Sequence, residues 1–204
     1  GRPEINETFE AFSPKASATF KVLGADGMGP SVNVYGAYSE AFRPPRVPSG
    51  LSVTPDEEQL DPEDIQNFEF GLKASVLNDR LALEGGFFWM DRDGIVVSIR
   101  EGAFFRDANA GTHKHKGLEL GATLAAIDEV TVWANAAFYR NTFGDFVIER
   151  AGSVTDLTGN RLNMSPEYLA NWGVLYSPTP VVDLTLDVKH VSDVFVDIRN
   201  DFLF

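Results

Sequence analysis

The 204-residue chain contains no cysteine, which excludes disulfide scaffolds, zinc–cysteine centres and thiol chemistry. A formal net charge of −13 argues against a general nucleic-acid binder, which would present a basic surface. No apolar run reaches the roughly 18 residues that a transmembrane helix requires, but a strand crosses a bilayer in about 9–11 residues, so a membrane barrel is not excluded.

Taken in chain order, the sequence alternates with a period of two and shows almost no helical periodicity. The alternation predicts about nine strands, near residues 13–23, 31–40, 66–77, 80–100, 104–126, 130–142, 166–177 and 181–193, with another starting after 195. In the third, Phe68, Phe70, Leu72, Ala74 and Val76 share one face, opposite Asn67, Glu69, Gly71, Lys73 and Ser75. The same parity places Leu83, Phe87 and Trp89, then Leu118, Leu120 and Leu124, then Leu184, Leu186 and Val188, on one continuous apolar side.

The connections alternate as well. Gly24–Pro30, Asn78–Asp79, Ile127–Glu129 and Ser177–Pro180 are short, whereas Ala41–Ile65 and Phe143–Ser165 are long and polar. The connection near Glu101–Ala103 is short, but its flanking strands extend beyond bilayer length. One rim of tight turns opposite one rim of excursions is the asymmetry of an outer-membrane barrel. A soluble all-β sandwich would not need it. Tyr38, Phe87, Trp89, Phe138, Trp172 and Tyr176 are read as interface girdles, and the alternative is that they pack an ordinary core.

Three stretches then carry a resemblance. Ala37–Pro45 reads AYSEAFRPP, Leu60–Lys73 reads LDPEDIQNFEFGLK and Asn109–Leu120 reads NAGTHKHKGLEL. In this order and spacing, with RLALEGGFFW at Arg80–Trp89 between the last two, they resemble the barrel of TonB-dependent outer-membrane receptors of the siderophore-receptor type. Each string also has a physical reading. Pro44 and Pro45 end strand pairing for want of an N–H, Asn109–Gly111 suits a bend where the chain rejoins the wall, and Gly71, Gly117 and Gly121 leave room on the lumen side or mark strand curvature.

The resemblance implies an all-β fold: antiparallel up-and-down strands of a transmembrane β-barrel, of which this chain supplies about nine from a larger plugged barrel of about 22. Residues 1–204 are then expected to be a partial barrel domain, with the N-terminal plug and the C-terminal strands absent. The implied role is an outer-membrane active-transport receptor that imports a scarce nutrient, foremost a ferric siderophore. The implied partners are the TonB energy-coupling protein, acting through the plug, and outer-membrane lipid and lipopolysaccharide. Nucleic acid is not an expected partner, and no resident cofactor or metal is expected. The alternatives are a passive porin or channel and a soluble all-β binding or adhesion domain. An enzyme is not expected, because no Ser-His-Asp or paired-carboxylate set stands out and no phosphate loop is present.

Candidate ligand-binding residues lie in the extracellular loops and upper lumen. His113 and His115 share a face and could touch a metal chelate, while Lys114 and Lys116 take the outward parity and could meet lipopolysaccharide phosphate. Arg100, Phe104, Phe105, Arg106, Arg150 and Arg161 offer guanidinium and aromatic groups suited to an anionic, planar iron chelate. Loop packing and loop–loop salt bridges are the competing account of these arginines. Arg43 and Arg46 are read as structural, and the run Asp56, Glu57, Glu58, Asp61, Glu63, Asp64 as a solvated face or a calcium site.

Overall fold

The computed structural model describes residues 10–24, 29–44, 60–101, 104–109, 111–150 and 153–204. They form twelve strands: β1 (Lys15–Leu23), β2 (Ser31–Arg43), β3 (Glu63–Val76), β4 (Leu81–Asp93), β5 (Val96–Glu101), β6 (Phe104–Asn109), β7 (His113–Ile127), β8 (Val130–Phe143), β9 (Val147–Arg150), β10 (Ser153–Asp156), β11 (Tyr168–Thr179) and β12 (Val182–Val191). Eight make one antiparallel sheet in the order β1-β2-β3-β4-β7-β8-β11-β12. The pairs β5–β6 and β9–β10 are separate two-stranded sheets carried in the connections.

Three of the sequence expectations change. The two long strands near 80–100 and 104–126 each break, at Gly94 (φ 68°) and around Gly111 (φ 86°), in a left-handed conformation that glycine adopts without a Cβ clash. The polar loop after Phe143 contains the β9–β10 hairpin and a small core of Phe143, Phe146 and Leu157, against which Ile148, Leu162 and Ile198 pack. The expected strand after 195 is instead a folded-back segment closed by a single bridge, Phe195 to Leu203, so the described residues give the wall eight strands rather than nine. Asp197 organises this segment by accepting backbone N–H bonds from Arg199 (2.8 Å) and Phe202 (2.9 Å).

The tight rim is built from turn chemistry. Leu77, Asn78 and Asp79 all have positive φ, and Asn and Asp tolerate it best because their short polar side chains bond locally. Arg80 pairs with Asp128 at 2.8 Å, tying the β3–β4 turn to the β7–β8 turn.

The apolar parity faces outward and is not covered. Phe68, Phe70, Phe87, Trp89, Leu120, Phe138, Trp172 and Leu186 are all exposed, and Phe70 reaches 63%. A sandwich would bury this face under a second sheet about 10 Å away. A continuous apolar face this large, on strands of 10–15 residues, suits hydrocarbon. Trp172 lies mid-strand rather than at a strand end, and so belongs to the apolar band and not to a girdle.

Candidate functional site

Register decides which side chains meet on the inner face. Near the long-loop rim, Ala41, Ile65, Arg92, His113 and Phe143 form one cross-strand row from β2 to β8. Ser39, Asn67, Met90, His115 and Asn141 form the next row towards the tight turns. Lys114 and Lys116 alternate to the outer face, as their parity predicts.

Glu63 is the anchor of this polar wall. It is 5% exposed, accepts a hydrogen bond from Arg92 Nη2 at 2.6 Å, and has Arg43 Nη1 at 3.7 Å. Two guanidinium groups thus compensate one buried carboxylate. Arg43 is held structurally in this way, while Arg46, Asp56, Glu57 and Glu58 lie outside the described residues. The acidic run therefore does not act as a unit in its described part, because Asp61 binds Asn109 through its backbone and Glu63 turns inward.

His115 is oriented by a short chain of bonds. Its Nδ1 lies 3.1 Å from Asn141 Oδ1, and Asn141 Nδ2 donates to Ser165 Oγ at 2.8 Å. This polarity makes Nδ1–H the donor and leaves a lone pair on Nε2. His113 stands edge-on to Phe143, with ring centroids 5.2 Å apart, and 6.1 Å from His115.

Both imidazoles lie beyond the outward apolar band, which ends at Leu118 on β7. Burial pushes His113 down to about 4, and the nearby charges of His115 and Arg92 act in the same direction. Burial also lowers His115. At neutral pH both rings are uncharged and can accept hydrogen bonds or stack. Three buried polar atoms here, Asn67 Oδ1, Arg92 Nε and His115 Nε2, have no protein partner among the described residues. No three metal-ligating side chains gather among those residues, so a metal bound here would arrive with its own chelator.

The other candidates lie elsewhere. Arg161 is held within the loops: Nη2 donates to Ser165 O (3.3 Å) and Asp193 O (3.2 Å), Nε is 3.5 Å from Glu167, and the guanidinium lies over Phe195. Backbone register sets Arg100 opposite Phe105 and Glu101 opposite Phe104 at the β5–β6 tip, with Arg106 opposite Ile99, and it sets Arg150 opposite Ser153. The side chains of Arg100, Phe104, Phe105, Arg106 and Arg150 lie outside what the structure describes. Sequence reasoning did not single out Arg92, Asn67 or Asn141 for the site, and it read Glu63 as part of a solvated face or calcium site, whereas Glu63 is buried on the inner wall. The signal that could have found them was strand parity continued two residues past the apolar band.

The lumen glycines do not leave open room. A Cβ on Gly71 would lie 2.6 Å from the Tyr35 ring, one on Gly117 would lie 2.3 Å from Phe88, and one on Gly121 would lie 2.8 Å from Glu84 and Asn135. Each space is filled by a side chain of the same wall, so the glycines serve inner-face packing.

A family model described as "TonB dependent receptor-like, beta-barrel" matches residues 2–202. The chain is 24% identical over 180 residues to the probable TonB-dependent siderophore receptor PiuA of Acinetobacter baumannii, covering 82% of this chain and 23% of that protein. It is 25% identical over 169 residues to the probable TonB-dependent receptor BfrD of Bordetella pertussis, covering 81% and 22%. The crystal structure of PiuA superposes with a TM-score of 0.71 at 23% identity, over 93% of this chain and 27% of that one. The ferric yersiniabactin uptake receptor FyuA of Yersinia pestis gives 0.67 at 20% identity, over the same shares. The chain thus spans about a quarter of the length of the relatives it matches.

Proposed function

Because the chain belongs to the TonB-dependent receptor β-barrel family, whose members are outer-membrane receptors and not enzymes, we propose that it forms wall and loops of a receptor that imports a ferric siderophore with energy delivered through TonB. The eight-stranded wall supports the barrel role, with its apolar outer face and its long connections on one rim. The fold and family leave no role for a soluble adhesion domain.

The observation that carries the ligand reading is the neutral, oriented pair His113–His115 beside Arg92 and the buried Glu63. Such a surface offers lone pairs and guanidinium donors to the rim of an anionic chelate, and it brings too few ligands of its own to strip the metal. PiuA and FyuA, named for siderophore and ferric yersiniabactin, support the same substrate class. Arg100, Phe104, Phe105, Arg106 and Arg150 would add contacts from the hairpins above. The coupling protein would act through the plug, and thus not through this wall.

The test is radio-iron uptake by cells lacking the full-length gene, complemented with the native receptor and supplied with ferric catecholates and hydroxamates. Uptake that needs both the receptor and an intact TonB supports the proposal. Diffusive uptake without TonB would make the protein a passive channel, and TonB-dependent uptake of peptide or sugar but no iron chelate would replace the substrate.

A further inference from the structure

Three polar side chains near the long-loop rim are each fixed by one wall partner, and each keeps a second polar atom that has no partner among the described residues. Asn67 Nδ2 donates to Glu69 Oε1 at 2.7 Å, which leaves Oδ1 as an acceptor. Arg92 Nη2 donates to Glu63 at 2.6 Å, which leaves Nε–H as a donor. Asn141 is turned by its bond to Ser165, so His115 carries its proton on Nδ1 and keeps Nε2 as an acceptor. Asn67 Oδ1, Arg92 Nε and His115 Nε2 are all closed to solvent. Buried polar atoms without partners are uncommon, because each forfeits its hydration. These three lie on the inner face of the adjacent strands β3, β4 and β7.

One side chain stands among them. Met90 is the register partner of Asn67 on one side and of His115 on the other, and Arg92 shares its face two residues along β4. Register partners hold their Cβ atoms about 4.5–5.5 Å apart, so the Met90 side chain reaches both. Met90 is half-buried. Its thioether is unbranched and has three rotatable bonds, so it can fold aside with little strain.

The order acceptor, donor, acceptor across the three strands selects the ligand chemistry. A carboxylate or catecholate oxygen cannot donate to Asn67 Oδ1 or His115 Nε2. An ammonium cannot accept from Arg92 Nε–H, and it meets a like charge there. A hydroxyl donates and accepts at a single atom. We propose that Asn67, Arg92 and His115 form a subsite for neighbouring hydroxyls on the neutral, iron-free part of the transported chelate, with Met90 as its movable cover. Two hydroxyls donate to Asn67 Oδ1 and His115 Nε2, and one of them accepts from Arg92 Nε–H. Glu63 already matches the charge of Arg92, so this subsite reads hydrogen bonding and not charge. The proposal deepens the transport reading and rests on it.

The experiment is calorimetric titration of the full-length receptor in mild detergent with two ferric tris-hydroxamates of the same iron centre and net charge. One carries adjacent hydroxyls on the arms that link its hydroxamates, and in the other hydrogen replaces them. The native receptor should bind the hydroxylated chelate about tenfold more tightly or better, since a site built for a hydroxyl rejects the analogue that lacks it. His115→Phe should bring the two affinities within about twofold of each other. Met90→Ala removes the cover and should tighten the hydroxylated chelate about threefold. Met90→Ile, stiff at χ1, should weaken it by a similar factor. Heat-modifiable migration on gels checks folding, and the comparison of chelates on the native receptor stands even if a variant misfolds. Equal native affinities, or an unchanged preference in folded His115→Phe, overturn the subsite and leave the transport reading standing. Tighter or unchanged binding by folded Met90→Ile overturns the cover. Binding of neither chelate overturns the subsite together with the transport reading.

Discussion

The side-chain amide of Asn109 forms two hydrogen bonds with the backbone of Asp61. Asp61 N–H donates to its Oδ1 at 2.7 Å, and its Nδ2 donates to Asp61 O at 2.8 Å. The same Nδ2 also reaches Gly94 O at 2.7 Å. One residue at the end of β6 therefore binds the approach to β3 and the bend between β4 and β5.

Asn109→Ala should loosen the β5–β6 hairpin and leave the wall intact. Losing three bonds at a partly exposed site is expected to cost about 1–3 kcal/mol locally. Hydrogen exchange should accelerate in 96–109 and stay native in β4 and β7. Asn109→Asp should resemble the alanine variant, because it keeps the acceptor and loses both donated bonds. Unchanged exchange in 96–109 would show that the hairpin is held by other contacts.

Glu63→Ala removes the only carboxylate that Arg43 and Arg92 share among the described residues. The arginines left behind are partly exposed and can be solvated, so the loss is expected to cost about 1–3 kcal/mol. Denaturant titration of the full-length receptor in detergent should show this as an earlier midpoint, with Glu63→Gln losing less because it still accepts a bond. A native midpoint in the alanine variant would mean that the pair contributes little.

Protonation of His113 should weaken the folded receptor. Its folded value is about 4 and its ordinary value 6.5, so the fold favours the neutral ring. The associated stability is complete above pH 6.5 and is lost as pH falls from 6.5 towards 4, since the unfolded chain takes up the proton first. Below about 4 no further loss accrues from this group. Thermal midpoints compared at pH 7.5 and 4.5 should fall further for the native receptor than for His113→Gln. Equal drops would assign the pH response to other groups.

Gly117→Val should fold poorly. Even its Cβ would lie 2.3 Å from Phe88 and 2.8 Å from Tyr139, and both rings are large. Overpacking of this kind costs about 1–3 kcal/mol, and the added branches raise it. Gly117→Val with Phe88→Ala should recover part of the loss in the same denaturant assay. If the double variant is no better, the clash lies with the Tyr139 ring rather than with Phe88.

The wall was readable because every one of its eight strands repeats the period of two. A lipid-facing surface enforces that alternation more strictly than a soluble core does. The tight turns at Asn78–Asp79 and Ile127–Glu129 were readable for the same reason, since the alternation stops there. The bend at Gly94 was not, because Val96–Glu101 keeps strand-like composition while leaving the sheet, whereas the bend at Asn109–Gly111 was marked in the sequence as the place where the chain rejoins the wall. The strand after 195 failed because Asp197 and Asn200 turn the chain on itself, and local turn bonding overrode apolar residues that would suit a strand. At the candidate site, His113 and His115 and their shared face were legible from spacing. Their neighbours Glu63 and Arg92 were not, because they meet only through register between strands 29 residues apart in sequence.

The passage from β4 to β7 has an evolutionary consequence. Arg92 pairs with His113 and Trp89 with Lys116, so wall register closes across the gap as though the hairpin between them were absent. The β5–β6 pair has its own internal register, from Val96–Asn109 to Glu101–Phe104. Substitutions, extensions and deletions towards its tip can accumulate without shifting a single residue of the wall between lumen and lipid. The surface that a cell presents to its surroundings can diversify rapidly at this point while the wall that carries it stays fixed.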